Sequence, residues 1–238
     1  MEISTPGRIC LFGEHQDYLG LPVIAMAISL RVNIVGEKRQ DRKIIIHKPD
    51  LGKKEIFSLD NLDYTHSRDY FKSGIKTCMN MGLSFEKGFE CEIKSNIPIQ
   101  AGTSSSSAIV VSWINFLAQI ADKNPKWSLE KIGKLAYQTE CVEFGEPGGM
   151  MDQYITSCGG MLLIKSEPKV TVEKIDSELG SFVLGDSGEL KNTLDILDRC
   201  KTSRIKVFEK IKAVTSQFDL HTCKDDLDVS FLSKIEKN

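Results

Sequence analysis

Ser104-Ser105-Ser106-Ser107-Ala108-Ile109-Val110-Val111-Ser112-Trp113-Ile114-Asn115-Phe116-Leu117-Ala118-Gln119-Ile120-Ala121 passes from four serines into a run that is apolar on nearly all sides. A helix over 106–121 with no polar face has to lie inside the protein. Asn124-Pro125 ends it. Upstream, Asn96-Ile97-Pro98-Ile99-Gln100-Ala101-Gly102-Thr103 joins the serines to a predicted strand, 88–95. Small residues let backbone approach a ligand, and a helix N-terminus offers N–H groups and a positive dipole end. That combination suits a phosphate, and a serine hydroxyl can also ligate Mg²⁺. A flexible Ser-rich linker is the competing reading, but linkers rarely join a strand to the most apolar helix of a chain. No Lys follows the last Gly, so the loop is not a Walker A motif.

Around this helix the pattern is irregularly mixed. Strands are expected at 7–12, 22–29, 31–37, 43–48, 54–58 and 88–95, and later at 160–165, 169–175 and 181–185. Near-helical spacing of Tyr70, Phe71, Ile75, Cys78 and Met79 predicts a helix over 67–81, ending at Gly82. Ser128 is the expected N-cap of a helix over 129–144, a loop covers Gly145 to Gly149, and a helical segment carries Met151–Cys158. A long charged helix is expected from about 189 to 215. This is the pattern of an α+β protein with a mixed sheet.

The 238 residues suffice for a substantial core in one large or two small domains. A net charge of −2 argues against a nucleic-acid surface, and no apolar stretch is long enough to span a bilayer. The start lacks the basic residues of a secretory signal. Seven cysteines without a CxxC pair read as reduced thiols, with no zinc site indicated, and a cytoplasmic location is expected.

Two further segments carry chemistry. In Pro6-Gly7-Arg8-Ile9-Cys10-Leu11-Phe12-Gly13-Glu14-His15-Gln16-Asp17-Tyr18, Ile9, Leu11 and Phe12 read as a buried strand. Gly13 breaks it and puts Glu14, His15 and Asp17 in a loop. A polar hairpin turn would explain the same residues. Downstream, Glu140, Glu143, Glu146 and Asp152 cluster, with Glu140 and Glu143 spaced to share a helix face. Asp152 stands apart, flanked by Gly148-Gly149-Met150-Met151 and Gln153. It reads equally as an ion-pair partner or a catalytic base.

In this order the three segments resemble the GHMP small-molecule kinases, in particular the galactokinase branch. The galactokinase signature PGRVNLIGEHTDYNGG is matched by Pro6–Leu21, and the PLGAGLSSSA motif by Pro98–Ser107, with one extra serine. The stretch ending in GIMDQ is matched by Gly149–Gln153. Mevalonate kinases share Gly-Glu-His but not the following Asp-Tyr, which favours a sugar. The resemblance implies a ribosomal S5 domain 2-like N-terminal domain over 1–180 and a partial GHMP-kinase C-terminal domain over 181–238. Asp152 would be the base toward a sugar hydroxyl, and Arg8 would hold it ionised and stabilise charge during transfer. Glu14, His15, Gln16, Asp17 and Gly149 would contact the sugar. Gln100, Ala101, Gly102, Thr103, Ser104, Ser105 and Ser106 would wrap the phosphates of ATP, and Ser106 with Glu140 would hold Mg²⁺. The implied activity is ATP-dependent phosphorylation of a monosaccharide, at the anomeric C1 hydroxyl of galactose or a related sugar. A non-catalytic sugar and nucleotide sensor, or a truncated inactive family member, is the alternative. The expected partner is a small sugar, with no nucleic acid or membrane, and a monomer or homodimer.

Three departures stand out. Gln100 and Thr103 replace a glycine and a leucine of the family loop. The Ser-Glu-Tyr whose Tyr lies near the sugar in galactokinases is absent, and the region reads Asp195-Ile196-Leu197-Asp198-Arg199. Arg199 there suggests a carboxylate-bearing substrate such as a uronic acid. No glycine-rich loop follows residue 190, so a fragment or a shortened family member is expected.

Overall fold

The computed structural model describes residues 1–177, 179–185, 188, 193–215, 217–223, 227 and 229–233. Its organising strand is β2 (Val23–Lys38), which is long enough to serve two sheet regions at once. One edge of β2 pairs antiparallel with β1 (Glu2–Phe12), from Glu2 opposite Val35 to Phe12 opposite Ile24. The other edge is divided. Val32–Lys38 pairs with β5 (Phe89–Ser95), and Val23–Met26 pairs with β6 (Met161–Lys165). Outward from β5 lie β3 (Lys43–Lys48), parallel to it, and then β4 (Lys53–Ser58). Outward from β6 lies β7 (Thr171–Lys174), so the sheet is mixed, as expected.

The two strands expected at 22–29 and 31–37 are therefore one. Nothing at Leu30-Arg31 breaks the chain, and Arg31 is fastened on both sides. Its backbone N–H donates to Asn96 Oδ1 at 2.5 Å, and its guanidinium reaches Ser4 Oγ at 2.7 Å. β1 also begins earlier than expected, and its buried part is Ile3 and Thr5–Arg8. Phe12, expected inside, is 70% exposed.

Among the described residues five α-helices complete the fold: α1 (Tyr70–Asn80), α2 (Ser105–Ile120), α3 (Leu129–Tyr137), α4 (Met151–Cys158) and α5 (Thr193–Val214). Asp69 and Ser128 cap α1 and α3 by accepting from the N–H groups of Lys72 and Lys131. α2 touches β1, β2, α1, α3 and α4, which is why its sequence has no polar side. Trp113 is fully buried at its centre. Its ring meets Phe71 at 5.0 Å and Phe89 at 5.6 Å, and its Nε1–H donates to the Phe71 carbonyl at 2.9 Å. A second apolar cluster, Val23, Ala25, Ile155, Leu162 and Ile164 among its members, seats α4 on β2 and β6.

Two expectations need correcting. Residues 181–185 form no strand: Phe182, Val183 and Leu184 favour extended backbone, but among the described residues no ladder joins them, and all three are exposed. The helix over 129–144 changes type, since α3 runs into a π-type turn at Gln138–Val142. Residues 189–192 of the predicted long helix lie outside the described set. Of the cysteines, Cys78, Cys91 and Cys141 are buried thiols, and burial pushes Cys78 and Cys91 up to about 12. No described helix is long and apolar enough to cross a membrane.

Replacing Trp113 with Ala removes the centre of this core and strands the Phe71 carbonyl. It should cost about 3–5 kcal/mol in denaturant unfolding. Trp113→Phe keeps most of the ring contacts and should cost about 1–2 kcal/mol, the loss of one buried hydrogen bond. Equal costs for the two would refute the packing role given to the indole.

Candidate functional site

Arg8 leaves β1 at a register shift between Pro6 and Arg8, and its side chain is buried beneath the loop before α2. Its Nε and Nη2 donate to Asp152 Oδ1 and Oδ2 at 2.8 and 2.9 Å, a two-pronged ion pair. Its Nη1 donates to the Gly102 carbonyl at 2.7 Å, and its backbone N–H to the Thr103 carbonyl at 3.2 Å. Burial alone pulls the guanidinium down, but the charge and hydrogen bonds of Asp152 outweigh it and the net direction is up. One arginine thus joins three segments.

Ser104 adds a fifth bond. It stands at the N-cap of α2, yet its hydroxyl does not cap the helix. It donates instead to Asp152 Oδ2 at 2.6 Å. The backbone there is left-handed, with φ at 59°. Gln100 has φ 58° and His15 φ 62°, so strain of about 1 kcal/mol or more per residue gathers around this cleft. Asp152 keeps part of its carboxylate surface open, with 28% of the side chain exposed. It sits in the first turn of α4, held by the apolar cluster beneath it.

Asp17 closes the opposite wall. Its Oδ2 accepts from the Met151 backbone N–H at 3.1 Å, at the start of α4. Gly149 makes this possible, because a Cβ at that position would overlap the Asp17 carboxylate. Burial pushes Asp17 up to about 6, against the Met151 hydrogen bond and with the Asp152 charge. Glu14 and His15 also line the cleft, as do Gly149, Ser106 and Glu140. Gln16 does not: it is exposed, and its backbone shapes the turn through bonds with Gly13 and Leu19. Gln100 to Ser105 also lie off the cleft lining, with Gln100, Ala101 and Gly102 exposed on the neighbouring loop.

The π-type turn decides the fate of the acids. It turns Glu140 inward, where it is 3% exposed, and leaves Glu143 outside to accept from the Tyr64 hydroxyl at 2.5 Å. Glu140 accepts from Gln153 Nε2 at 2.7 Å. Burial raises its pKa, opposed by hydrogen bonds from Gln153, Ser106 and Ser107. A buried carboxylate in that state is stabilised by a proton or a hard cation. The carboxylate and hydroxyl donors of Glu140 and Ser106 fit Mg²⁺, which keeps much of its shell for water and phosphate. Among the described residues no group of three His, Cys, Asp or Glu could hold a metal alone.

The cleft also contains residues to which the sequence reading gave no role in the site: Ser107, Gln153, Leu197, Arg68 and Glu146. Gln153 follows Asp152 directly, and that adjacency was the available signal. Arg68 and Glu146 look like solvated charges in sequence, but here they meet across the cleft wall, Nε to Oε1 at 2.6 Å. Arg199 is exposed on α5 and takes no part in the lining; Leu197 does. Among the described residues, five lining carboxylates, Glu14, Asp17, Glu140, Glu146 and Asp152, face two guanidiniums, Arg8 and Arg68.

Known proteins carry the same two halves. Residues 69–160 match the GHMP kinases N terminal domain, and residues 2–38 match the galactokinase galactose-binding signature. The chain is 33% identical over 232 residues to a galactokinase of Clostridium beijerinckii, covering 91% of this chain and 58% of that one. It is 27% identical over 232 residues to a mevalonate kinase of Thermococcus sibiricus, covering 89% of this chain and 68% of that one. The fold is similar to that of Lactococcus lactis galactokinase complexed with galactose, with TM-score 0.69 and 23% identity over 92% of this chain and 58% of that one. The α+β fold with a mixed sheet is similar to that of the galactokinase, and residues 69–160 carry the N-terminal domain of the GHMP kinases. The signature and the Clostridium relative support a galactokinase-like GHMP branch. The chain spans 58% of the length of the Clostridium relative.

Asp17 makes a direct check of this geometry. A carboxyl raised to about 6 in the fold, against 3.8 for the free group, favours the folded state most below about pH 4. That contribution is lost as pH rises through about 6. Asp17→Asn should therefore flatten the stability profile between about pH 4 and pH 7. In the unaltered protein the Met151 amide resonance should titrate with its midpoint near 6. A Met151 midpoint near 4 would contradict the burial of this carboxylate.

Proposed function

We propose that the protein transfers the γ-phosphoryl group of ATP to a hydroxyl of a monosaccharide, namely the anomeric C1 hydroxyl of galactose or a closely related sugar. The observation that carries this reading is the Asp152 carboxylate, held by Arg8 and Ser104 and still open to the cleft. Phosphoryl transfer asks little covalent chemistry of a protein and much positioning and charge neutralisation. Asp152 takes the proton of the sugar hydroxyl as its oxygen bonds to the γ-phosphorus. The bond from that phosphorus to the β–γ bridging oxygen breaks, and ADP leaves. Arg8 keeps the carboxylate oriented and offsets charge that develops beside it. The acceptors of Glu14, His15 and Asp17 bind sugar hydroxyls, which is how a site rejects ligands lacking them. The loop 100–106 and the N-terminus of α2 hold the phosphates. Mg²⁺, held by Ser106 and Glu140, would neutralise phosphate charge. The division into an N-terminal domain over 1–180 and C-terminal residues 181–238 belongs to the same reading.

The sugar is favoured by the galactose-binding signature over 2–38 and by the acidic, hydrogen-bonding wall it places in the cleft. A uronic acid is not favoured, because Arg199 lies outside the lining and Arg8 is already paired. ADP release measured across a panel of monosaccharides tests the proposal. Galactose-dependent release should fall roughly 10²–10⁴-fold in Asp152→Asn, the range for loss of a general base. Sugar affinity in that variant should change far less. Sugar binding without ADP release by the unaltered chain would instead identify a sensor.

The phosphate side makes a separate expectation. Ser106→Ala and Glu140→Gln should each raise the Mg²⁺ concentration needed for half-maximal ADP release, roughly 10-fold for loss of one ligand. An unchanged Mg²⁺ requirement in both variants would remove these residues from the metal site.

A further inference from the structure

Arg68 is held in a place where it has little to do for the fold. It lies just before α1, with a left-handed backbone at φ 60°, a conformation that long side chains seldom adopt. Its guanidinium stacks over the Tyr70 ring, 5.2 Å from the centroid, and lines the cleft. Glu146, in the loop before α4, is its counter-charge. Arg68 Nη2 donates to Glu146 Oε2 at 3.0 Å, and the Tyr70 hydroxyl donates to Glu146 Oε1 at 3.2 Å. Arg68 Nε is only 2.6 Å from Oε1 but not aligned to bond with it. The pair is thus close but incompletely bonded, unlike the aligned fork between Arg8 and Asp152.

The cleft's charge balance gives this a consequence. Acids outnumber guanidiniums by five to two, and Arg8 is committed to Asp152. A polyphosphate entering such a cleft meets repulsion unless a cation is released to it. Among the described lining residues Arg68 is the cation whose partner can be exchanged.

Resting on the nucleotide reading above, we infer that Glu146 is an electrostatic latch on nucleotide binding: it keeps Arg68 on Tyr70, and arriving phosphates must win Arg68 from it. Glu146 is then a positioning residue whose charge opposes affinity. A residue that merely held Arg68 in its working place would act in the opposite direction.

Mg²⁺–nucleotide dissociation constants, measured by titrating a fluorescent ATP analogue, test the latch. Glu146→Gln should tighten binding by roughly two- to fivefold, the scale of a partly exposed ion pair. In an Arg68→Gln background the same substitution should have less than half that effect on the logarithm of the constant. The KM for the sugar should stay within twofold in Glu146→Gln. Tyr70→Phe removes the hydroxyl on Oε1 and should shift affinity in the same direction, by less. It serves if Glu146→Gln does not fold. Weaker or unchanged nucleotide binding, or an equal gain without Arg68, overturns the latch and leaves the kinase reading intact. Absence of nucleotide binding by the unaltered protein overturns both.

Discussion

The bond between Arg8 and Asp152 spans 144 residues of sequence, and the site is arranged around it. It ties β1 to α4, while the remaining donors of Arg8 tie the loop before α2 to both. Taking a guanidinium and a carboxylate out of water is costly, and well-packed apolar residues would stabilise the same contact as well or better. The arrangement makes sense as a positioning device. It fixes an acid at the edge of solvent with its orientation set from three directions. Losing either partner would leave a charge uncompensated in a place the fold has largely closed off.

Such a device works only on rigid supports. The supports are the two apolar clusters: α2 is locked around Trp113, and α4 is seated on β2 and β6 through Ile155, Leu162 and Ile164. β2 connects them, because its Val32–Lys38 half carries the first cluster and its Val23–Met26 half the second. Against this regular frame, the left-handed residues His15, Arg68 and Ser104 stand at or beside the cleft. Ser104 shows the exchange most clearly. A serine at an N-cap ordinarily satisfies a helix N–H, whereas this one turns to Asp152. Local rules are broken where function sets the geometry.

Much of this was legible in the sequence, for identifiable reasons. α2 was legible because continuous apolarity leaves burial as its only solution. Arg8, Asp17 and Asp152 were legible because charged residues beside glycines and apolar runs have no packing role. Arg68 and Glu146 were given no role, since Arg68 sits among polar neighbours, Glu146 reads as one acid of a cluster, and their meeting depends on a tertiary fold linking positions 78 residues apart. Glu140 lines the cleft, but sharing a face with Glu143 assumed an unbroken 3.6-residue period. One π-type turn rotates the two apart. Phe12 and the run 181–185 mark a different limit: apolar, extended-favouring residues specify a strand's propensity but not whether anything covers or pairs with it.

On the proposed function, the charges of the cleft suggest why so many acids collect beside the phosphates. That function would need carboxylates to grip sugar hydroxyls and one to accept a proton on one side, and each would raise the cost of bringing a polyanion to the other. Neutralisation by fixed arginines throughout would quench the acids in an empty site. A divalent cation arriving with the nucleotide, the N-terminus of α2 and one exchangeable arginine deliver positive charge only when the phosphates are present. Asp17, raised to about 6, shows the cost of the opposite choice, because an acid left without a cation there is already close to taking up a proton. On that reading, the separation of Arg8, fully bonded, from Arg68, partly bonded, is what would let one cleft serve both a base and a polyphosphate.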